Sequence, residues 1–394
     1  MLNTPFPPWP SFTPEEADAV RDVVLSNRVN YWTGQECREF EREFAAWSGT
    51  RHAIALANGT VALDLALAGL GIGPGDEVVV TPRTFLASVS CVVNAGARPV
   101  FADVDSDSQN LTAGAIRAVL TPRTRAVICV HLAGWPCDMD PIMELAREHG
   151  LLVIEDCAQA HGARYKGRPV GSIGHVGAWS FCQDKVMTTG GEGGMVTTDD
   201  ADLWKRMWAY KDHGKSWDAV YERQHPPGYR WLHESFGTNW RMIEVQAAIG
   251  RIQLRRMDVW HEARLRHARR IWEAARALPG LRVPEVPEGI DHAAYKCYVF
   301  LRPEALAPDW SRERILREIS DQGVPAYSGS CSEVYLEKAF DGTDFRPAQR
   351  LPIARELGDT SLMFLVHPTL ADEHIDRTCE VLGAVMRRAC GVTA

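Results

Sequence analysis

The sequence lacks the short motifs that mark the commonest metal and nucleotide sites. Its ten cysteines are scattered, and no two of them form a Cys-x-x-Cys pair, so neither a zinc site nor a disulfide framework is indicated. The glycine-rich fingerprints of dinucleotide-binding and P-loop proteins are also missing, which argues against both classes of nucleotide site. We therefore expect no metal site, and we interpret the cysteines as small buried residues or free thiols in a reducing compartment.

Long apolar runs and a dominant positive charge are absent too. No uninterrupted apolar stretch reaches the length that spans a bilayer, and residues 1–10 have neither the basic nor the apolar region of a signal peptide. The net charge is −8 over 394 residues, and the densest cationic run, 251–270, is interrupted by acidic residues and repeats at helical spacing. We expect a cytoplasmic protein with no membrane partner and no nucleic-acid partner.

Short apolar runs alternate with helical stretches over residues 52–198. The candidate strands lie at 53–57, 77–81, 99–102, 126–132, 151–155, 176–181 and 194–198, and the candidate helices between them lie at 61–70, 86–94, 112–120 and 141–149. Strands that are apolar throughout and that take turns with helices are typical of a parallel sheet covered on both faces. The pattern predicts an α/β fold with a three-layer large domain and a mostly parallel central sheet.

A second, smaller unit is predicted after a long helical stretch. The helical pattern runs from 239 to 278, which is long for one globular helix, so we expect two helices or one kinked helix that leaves the large domain near Met257. Beyond it, strands are predicted at 295–301 and 363–366 and helices at 311–322 and 371–388. We therefore expect a large domain with an N-terminal arm over 1–255 and a small C-terminal α+β domain over 256–394.

Lys185 occupies an unusual position for a lysine. It follows Ser180 by five residues and leads into a loop with four glycines within positions 190–194. Its neighbours Val186 and Met187 are apolar rather than part of a charged helical pattern, and glycine allows backbone to approach a ligand closely. A special lysine beside a ligand and a lysine on an ordinary surface loop both agree with this local pattern.

Two other predicted strands end in groups that suit a ligand. The first leads through Asn58-Gly59-Thr60 into a helix, where free backbone N–H groups and the helix dipole favour an anion. Phe85 follows the second strand, at what would be the same edge of the sheet, where it could stack on a flat ring. Ordinary helix capping and an ordinary core aromatic are the alternatives.

Asp156 directly follows the fully apolar strand at 151–155. A charge at this position is costly unless it meets a cation or a specific donor. A metal ion held with Glu155 and His161 is one interpretation, but consecutive Glu and Asp side chains point to opposite faces of a strand and cannot easily share one ion. A protonated ring nitrogen is the better partner for Asp156.

Taken together, these groups suit one ligand, pyridoxal 5′-phosphate (PLP). The cradle at Gly59 and Thr60 would take its phosphate, Phe85 its ring, Asp156 its ring nitrogen and Lys185 its aldehyde. Ser180 adds a hydroxyl at another strand end of the same predicted edge. The sequence therefore predicts a PLP site.

Several short motifs follow one another along the chain in a fixed order. They are Thr33-Gly34, Phe40-Glu41, Phe44-Ala45, Gly59-Thr60-Val61-Ala62-Leu63, Glu155-Asp156-Cys157-Ala158-Gln159-Ala160-His161-Gly162, Ser180-Phe181, Lys185, Gly191-Glu192-Gly193-Gly194, Gly237-Thr238-Asn239-Trp240-Arg241-Met242, Gln246-Ala247-Ala248 and Gln253-Leu254. In this order they resemble the DegT/DnrJ/EryC1/StrS family of sugar aminotransferases, within the aspartate-aminotransferase-like group called fold type I. The resemblance runs from about Tyr31 to the C-terminal helix.

The resemblance implies a role for each matching residue. Lys185 would form the covalent link to the cofactor aldehyde and later move protons, and Asp156 would pair with the pyridine nitrogen. Gln159 would lie near the phenolic oxygen, while Ser180 and the Gly59-Thr60-Val61 turn would hold the phosphate. Asn239 would reach the phosphate of the other subunit's cofactor, which implies a homodimer with active sites at the subunit interface.

The implied reaction is ping-pong transfer of an amino group from glutamate or glutamine to a keto-sugar, most often one linked to a nucleotide, in amino-sugar biosynthesis. A keto-inositol aminotransferase differs only in the acceptor and is the nearest alternative. Sugar dehydratases of this group carry His at the lysine position, so Lys185 speaks against that activity. A PLP-binding regulator without catalysis is the remaining alternative, and no DNA-binding segment accompanies the fold.

The resemblance weakens in the C-terminal part. Where many family members show a His-Tyr-x-Pro-x-His stretch near the sugar, this chain has Tyr-Ser-Gly-Ser-Cys-Ser-Glu-Val-Tyr at 327–335. The late phrase Leu-Pro-x-His-Pro appears here as Phe-Leu-Val-His-Pro at 364–368. We therefore assign no residue of this region to the substrate.

Overall fold

The computed structural model describes residues 6–225, 227–228 and 230–392, so residues 1–5 of the predicted N-terminal arm lie outside it. The helices are α1 (Pro14–Leu25), α2 (Glu36–Ser48), α3 (Gly59–Gly69), α4 (Ala87–Asn94), α5 (Ala113–Arg117), α6 (Met139–His149), α7 (Ala201–Lys211), α8 (Trp217–Tyr221), α9 (Glu244–Leu254), α10 (Met257–Arg276), α11 (Arg312–Asp321), α12 (Pro352–Thr360) and α13 (Asp372–Ala389). The strands are β1 (His52–Leu56), β2 (Glu77–Val80), β3 (Arg98–Phe101), β4 (Thr124–Val130), β5 (Leu152–Asp156), β6 (Arg164–Tyr165), β7 (Arg168–Pro169), β8 (Val176–Ser180), β9 (Gly194–Thr198), β10 (Leu281–Arg282), β11 (Ile290–Asp291), β12 (Cys297–Leu301), β13 (Ala326–Tyr327) and β14 (Ser361–Phe364).

A seven-stranded sheet organises the first half of the chain, in the order β1-β9-β8-β5-β4-β2-β3. The pairs β2 with β3, β2 with β4, β4 with β5 and β5 with β8 are parallel, whereas β9 runs antiparallel to both of its neighbours. The seven strands predicted from the sequence are these seven, with bounds that differ by at most two residues. The predicted α/β class with a mostly parallel central sheet is confirmed.

Successive residues of these strands pack into different layers. Val78 and Val80 of β2 belong to one buried cluster together with Ile154 of β5. Val79, which lies between the two valines, and Val153, which directly precedes Ile154, belong to a second cluster on the other side. Because side chains alternate across a strand, a sheet covered on both faces requires apolar residues at every position, which explains the continuous apolar runs in the sequence.

The C-terminal part builds a separate antiparallel sheet, in the order β10-β12-β14-β13. A third buried cluster joins apolar residues of this sheet to α11, α13 and the second half of α10. The long helical pattern resolves into two helices, α9 and α10, that break at Arg255 and Arg256, as expected. The division of the chain into domains 1–255 and 256–394 stays a prediction. Within the described residues, no helix is both long enough and apolar enough to cross a bilayer.

The topology collects several loops at one edge of the large sheet. β2, β4, β5 and β8 run in the same direction, and β1 shares it because β9 opposes both β1 and β8. The loops that leave the carboxyl ends of β1, β2, β5 and β8 therefore meet at this edge. Such an edge is where ligands bind in open α/β sheets.

Candidate active site

A cavity of about 960 Å³ opens at this edge. Eight of the nine residues singled out in the sequence line it: Gly59, Thr60, Val61, Phe85, Asp156, Gln159, Ser180 and Lys185. The ninth, Asn239, is exposed and is not among the described residues that line this cavity. The sheet thus brings residues from four separate loops, up to 126 positions apart in sequence, around one space.

The start of α3 forms an anion cradle in the cavity wall. Asn58 caps the helix, and its side-chain oxygen accepts the Val61 N–H at 3.0 Å. The N–H groups of Gly59 and Thr60 have no acceptor among the described residues. A methyl group at Gly59 would lie 2.4 Å from the Ser180 Cβ, so glycine is required for this close approach. The cradle suits a phosphate group.

Asp156 ends β5 and faces the same cavity. One of its carboxylate oxygens accepts the Ser88 hydroxyl at 2.8 Å and the other accepts the Ala158 N–H at 3.1 Å. Burial raises the pKa of Asp156 above its ordinary value, although both hydrogen bonds and the charge of Lys185 oppose the rise. A cationic partner in the cavity would stabilise the charged carboxylate, as the pairing with a protonated ring nitrogen requires.

Glu155 points to the opposite side of the sheet from Asp156. Its carboxylate accepts the His131 Nε2 hydrogen at 3.0 Å and backbone N–H groups of Gly171, Ile173 and Gly174 at 2.6–2.9 Å. Burial alone would raise the pKa of Glu155, but these hydrogen bonds and the His131 ring hold it below its ordinary value.

Glu155, His131 and Cys157 lie close enough together for a metal ion. Each donor group already has a protein partner, since the second ring nitrogen of His131 accepts the Cys137 N–H at 3.0 Å and the Cys157 thiol donates to the Glu155 carbonyl oxygen at 3.6 Å. This closed network explains the cluster without an ion. His161, the other residue of the metal interpretation, packs against Trp179, and burial lowers the pKa of its imidazole to about 3.

Gln159 is oriented by the backbone of the loop after β4. Its side-chain oxygen accepts the Ala133 N–H at 2.8 Å, which fixes the amide orientation because the backbone group can only donate. The amide NH₂ then has no acceptor among the described residues, although Gln159 lines the cavity. It can therefore donate to an oxygen of a ligand.

Phe85 is not part of the hydrophobic core. Its residue surface is 71% exposed, and it lines the cavity. Exposing an apolar ring to water is unfavourable, and a flat ligand stacked on the ring would relieve this cost. The exposure of Phe85 therefore agrees with a stacking role and disagrees with the core alternative.

Lys185 is held in the loop after β8, with 16% of its side chain exposed. Its Nζ lies 3.9 Å from an Asp184 carboxylate oxygen and 5.3 Å from the centre of the Tyr295 ring. Its backbone carbonyl accepts the indole N–H of Trp9 at 2.7 Å. The described part of the N-terminal arm therefore contacts the lysine loop directly.

The glycines after Lys185 bring backbone against backbone. Gly190 and Gly191 adopt positive φ angles of 88° and 115°, a region that glycine enters without strain. A methyl group at Gly194 would lie 2.2 Å from the Asn58 carbonyl oxygen. The glycine-rich segment thus allows β9 to pass close to the turn that forms the anion cradle.

The C-terminal part supplies cavity residues that sequence reasoning missed. They are Tyr295, Lys296, Tyr298, Gly329, Ser330, Cys331, Val334, Glu337 and Met363. Four of them lie within the 327–335 segment, where the sequence departs from the family pattern. That departure was the available signal, but it did not indicate which side chains face the cavity. Ser88, which bonds Asp156, was also missed, because it lies within an apolar helical stretch.

Asn239 lies in the segment 236–241, which reaches the end of β1, where the Arg241 backbone forms a bridge with Leu56. Asn239 itself forms a backbone bridge with Asp212, whose carboxylate accepts Arg241 Nη1 at 2.6 Å and Trp32 Nε1 at 2.8 Å. Phe236, in the same segment, is 98% exposed. Asn239 lies outside its own chain's cavity, and its contact with another subunit stays a prediction.

Comparison with known proteins decides the family. The model of the DegT/DnrJ/EryC1/StrS aminotransferase family matches residues 10–383. The chain belongs to this family. It is 37% identical over 384 residues to the GDP-perosamine synthase of Caulobacter vibrioides, covering 93% of this chain and 95% of that protein. The resemblance to the family and the expectation of an aminotransferase enzyme are both confirmed.

Two further similarities cover nearly the whole chain. The UDP-N-acetyl-3-dehydro-alpha-D-glucosamine 3-aminotransferase of Acidithiobacillus ferrooxidans is 36% identical over 370 residues, with 92% of this chain and 94% of that protein covered. The X-ray structure of an aminotransferase from Psychrobacter cryohalolentis superposes with a TM-score of 0.96 and 63% sequence identity, covering 98% of this chain and all of that one. The family fold therefore extends over both the large sheet and the C-terminal sheet.

Proposed function

We propose that this aminotransferase holds PLP in the described cavity and transfers an amino group from glutamate or glutamine to a nucleotide-linked keto-sugar by a ping-pong reaction. The observation that carries the proposal is the grouping in one cavity of a free N–H cradle, an exposed aromatic ring, a buried carboxylate and Lys185. The cavity volume of about 960 Å³ lies near the upper end of the usual range for small-molecule sites, about 300–1,000 Å³, and so has room for a cofactor and a substrate.

The residues present fit PLP at each of its functional groups. The free N–H groups of Gly59 and Thr60, with the turn to Val61 and the Ser180 hydroxyl, suit the phosphate. Asp156 suits the ring nitrogen, and the free NH₂ of Gln159 suits the phenolic oxygen. When bound, PLP supplies an acceptor for the electrons that remain when a carbon atom of the substrate loses its proton.

The chain's own groups would then handle the protons. The Lys185 amine would take the proton from Cα of the amino donor and return a proton during the second half of the reaction. Asp156 would hold a proton on the ring nitrogen through the favourable pairing of opposite charges. Phe85 would fix the plane of the ring and exclude water from one of its faces.

The acceptor class and the assembly are parts of the same proposal. Two relatives with 36–37% identity are named for GDP-linked and UDP-linked sugars, which supports a nucleotide-linked keto-sugar without selecting the nucleotide. We propose a homodimer in which Asn239 contacts the phosphate of the partner's cofactor, supported by its exposure outside its own cavity. The described cysteines are all free thiols, which supports the cytoplasmic location expected from the sequence.

A screen of donors and acceptors tests the proposed reaction. Purified protein loaded with PLP is mixed with L-glutamate or L-glutamine and with GDP-, UDP- or dTDP-linked 3-keto and 4-keto sugars, or with keto-inositols. We expect amino transfer to at least one nucleotide-linked sugar and parallel lines in double-reciprocal plots. Transfer to keto-inositols alone, or to no acceptor while the protein holds PLP, would overturn the proposed substrate class.

A further inference from the structure

Lys296 is a second lysine in the same cavity as Lys185. It immediately precedes β12, and it lines the cavity wall together with Tyr295 and Tyr298. Its backbone N–H donates to the Ala133 carbonyl at 3.4 Å, and the neighbouring Tyr295 N–H donates to the same oxygen at 3.0 Å. Because Ala133 is also bonded to Gln159, the backbone of Lys296 is fixed to the loops that form the predicted PLP site.

Lys296 forms no ion pair with the acidic side chains that the structure describes. Among the described residues, no carboxylate lies within 4.0 Å of its Nζ, which instead lies 4.6 Å from the centre of the Tyr295 ring. The acid next to Lys185, Asp184, already accepts the Tyr295 hydroxyl at 2.5 Å. Burial lowers the pKa of Lys296 to about 8; Asp184 opposes this shift, whereas Arg264 and Lys185 add to it.

An unpaired ammonium group at a cavity wall is stabilised by an anionic ligand. The anion cradle at Gly59 and Thr60 belongs to a different part of the wall, built by α3 and β8, so the cavity contains groups for a second anion. Both lysine amines lie over the Tyr295 ring, at 4.6 Å and 5.3 Å from its centre. The charge of Lys185 also lowers the pKa of Lys296, so an anion bound by Lys296 would lie in the region of the cavity where Lys185 acts.

This proximity selects the kind of anion. In an amino acid, the carboxylate is attached directly to the carbon that loses its proton, whereas the diphosphate of a nucleotide sugar is separated from the reacting carbon by the atoms of the sugar ring. We propose that Lys296 Nζ binds a carboxylate of the amino donor. The identity of this ligand rests on the proposed transamination. The anion subsite itself rests only on the position of Lys296 in the cavity wall.

Binding of a non-reacting dicarboxylate tests this subsite apart from catalysis. Glutarate, which has no amino group to transfer, is titrated by calorimetry into PLP-loaded wild type and into Lys296→Met, Lys296→Arg and Lys338→Met variants. Lys338 is exposed and lies outside the described lining of the cavity. We expect Lys296→Met to weaken glutarate binding about tenfold or more, the loss typical of a charged hydrogen bond, and the other two variants to change it less than about threefold.

The half-reactions distinguish the two possible anions. Conversion of the bound cofactor by L-glutamate should require about tenfold more donor in Lys296→Met, while the affinity for GDP and UDP should stay within about twofold of wild type. Unchanged glutarate and glutamate affinity, or a loss confined to GDP and UDP, would overturn the proposal. If wild type accepts no sugar at all, the proposed function fails, but the glutarate titration still reports on Lys296.

Discussion

The two neighbouring carboxylates at the end of β5 face different surroundings. On one side of the sheet, Glu155 receives hydrogen bonds from His131 and three backbone N–H groups. On the other side, Asp156 receives two and faces an open cavity. The chain thus buries two similar acids side by side, completing the hydrogen bonding of one and leaving the other available to a ligand.

The opposite pKa directions express this difference. The pKa of Glu155 is lowered, so its ionised form stabilises the fold above its ordinary pKa, and this stability is lost as the pH falls through the lowered value. The pKa of Asp156 is raised mainly by burial, so ionisation costs stability as the pH rises through the raised value. A buried acid that weakens the protein without its ligand is typical of a functional site.

Asp156→Asn should give the largest change in activity. The amide keeps the size of the side chain but cannot hold a proton on the ring nitrogen, so we expect transaminase activity to fall by about 10²–10⁴-fold, as for other lost proton-handling groups. The thermal stability of the cofactor-free protein should not fall, because an unfavourable buried charge is removed. Steady-state kinetics and thermal unfolding at neutral pH check both. A clear loss of stability with normal activity would show that Asp156 is a structural acid like Glu155 and would contradict its role at the ligand.

Glu155→Gln should show the opposite pattern. Removing one partner of a buried charged network should lower the free energy of unfolding by about 2–4 kcal/mol, while each folded molecule keeps most of its activity. Denaturant unfolding from pH 7 down to pH 4 measures the effect, and the gap from wild type should narrow as the pH falls because protonated Glu155 loses its advantage. A gap that widens toward low pH would contradict the lowered pKa of Glu155.

Asn239→Ala tests whether a second subunit contributes to the cavity that Asp156 faces. The proposed contribution is a contact between Asn239 and the phosphate of the partner's cofactor. Loss of one hydrogen bond to a charged phosphate should weaken PLP binding by about tenfold, with little change in thermal stability of the cofactor-free protein. Equilibrium dialysis against PLP measures the affinity, and Asn94→Ala, at an exposed asparagine outside the cavity, is the matched control. Equal PLP affinities in the two variants would contradict the proposed cross-subunit contact.

Trp9→Phe should give the smallest effect. The ring keeps its packing near Trp260, with ring centres 5.1 Å apart in the wild type, but the hydrogen bond to the Lys185 carbonyl is lost. One hydrogen bond contributes about 1 kcal/mol net. If this hydrogen bond serves to position Lys185, its loss would slow the donor half-reaction about fivefold. Stopped-flow absorbance measures this rate, and Trp9→Ala reports the packing separately through thermal unfolding. An unchanged rate in Trp9→Phe would show that the N-terminal arm contributes packing and does not position Lys185.

The sequence predicted the large sheet and the residues at its edge because both depend on local patterns. Apolar runs located the strands, and Asp156 and Ser180 follow from where two of those strands end. Lys296 and Trp9 could not be placed in this way. Lys296 joins the cavity through packing of the C-terminal part, and Trp9 reaches Lys185 across 176 residues of sequence. Long-range packing of this kind leaves no periodic pattern in the sequence.

The central claim is that Lys185 carries the cofactor in this cavity, and borohydride reduction followed by peptide mass mapping tests it most directly. We predict that purified, PLP-loaded protein absorbs visible light, that reduction bleaches this absorbance, and that the cofactor is then found covalently attached to the peptide containing Lys185. The Lys185→Ala variant should retain no covalent cofactor. Attachment to Lys296 or another lysine, or a colourless protein that takes up no PLP, would contradict the claim.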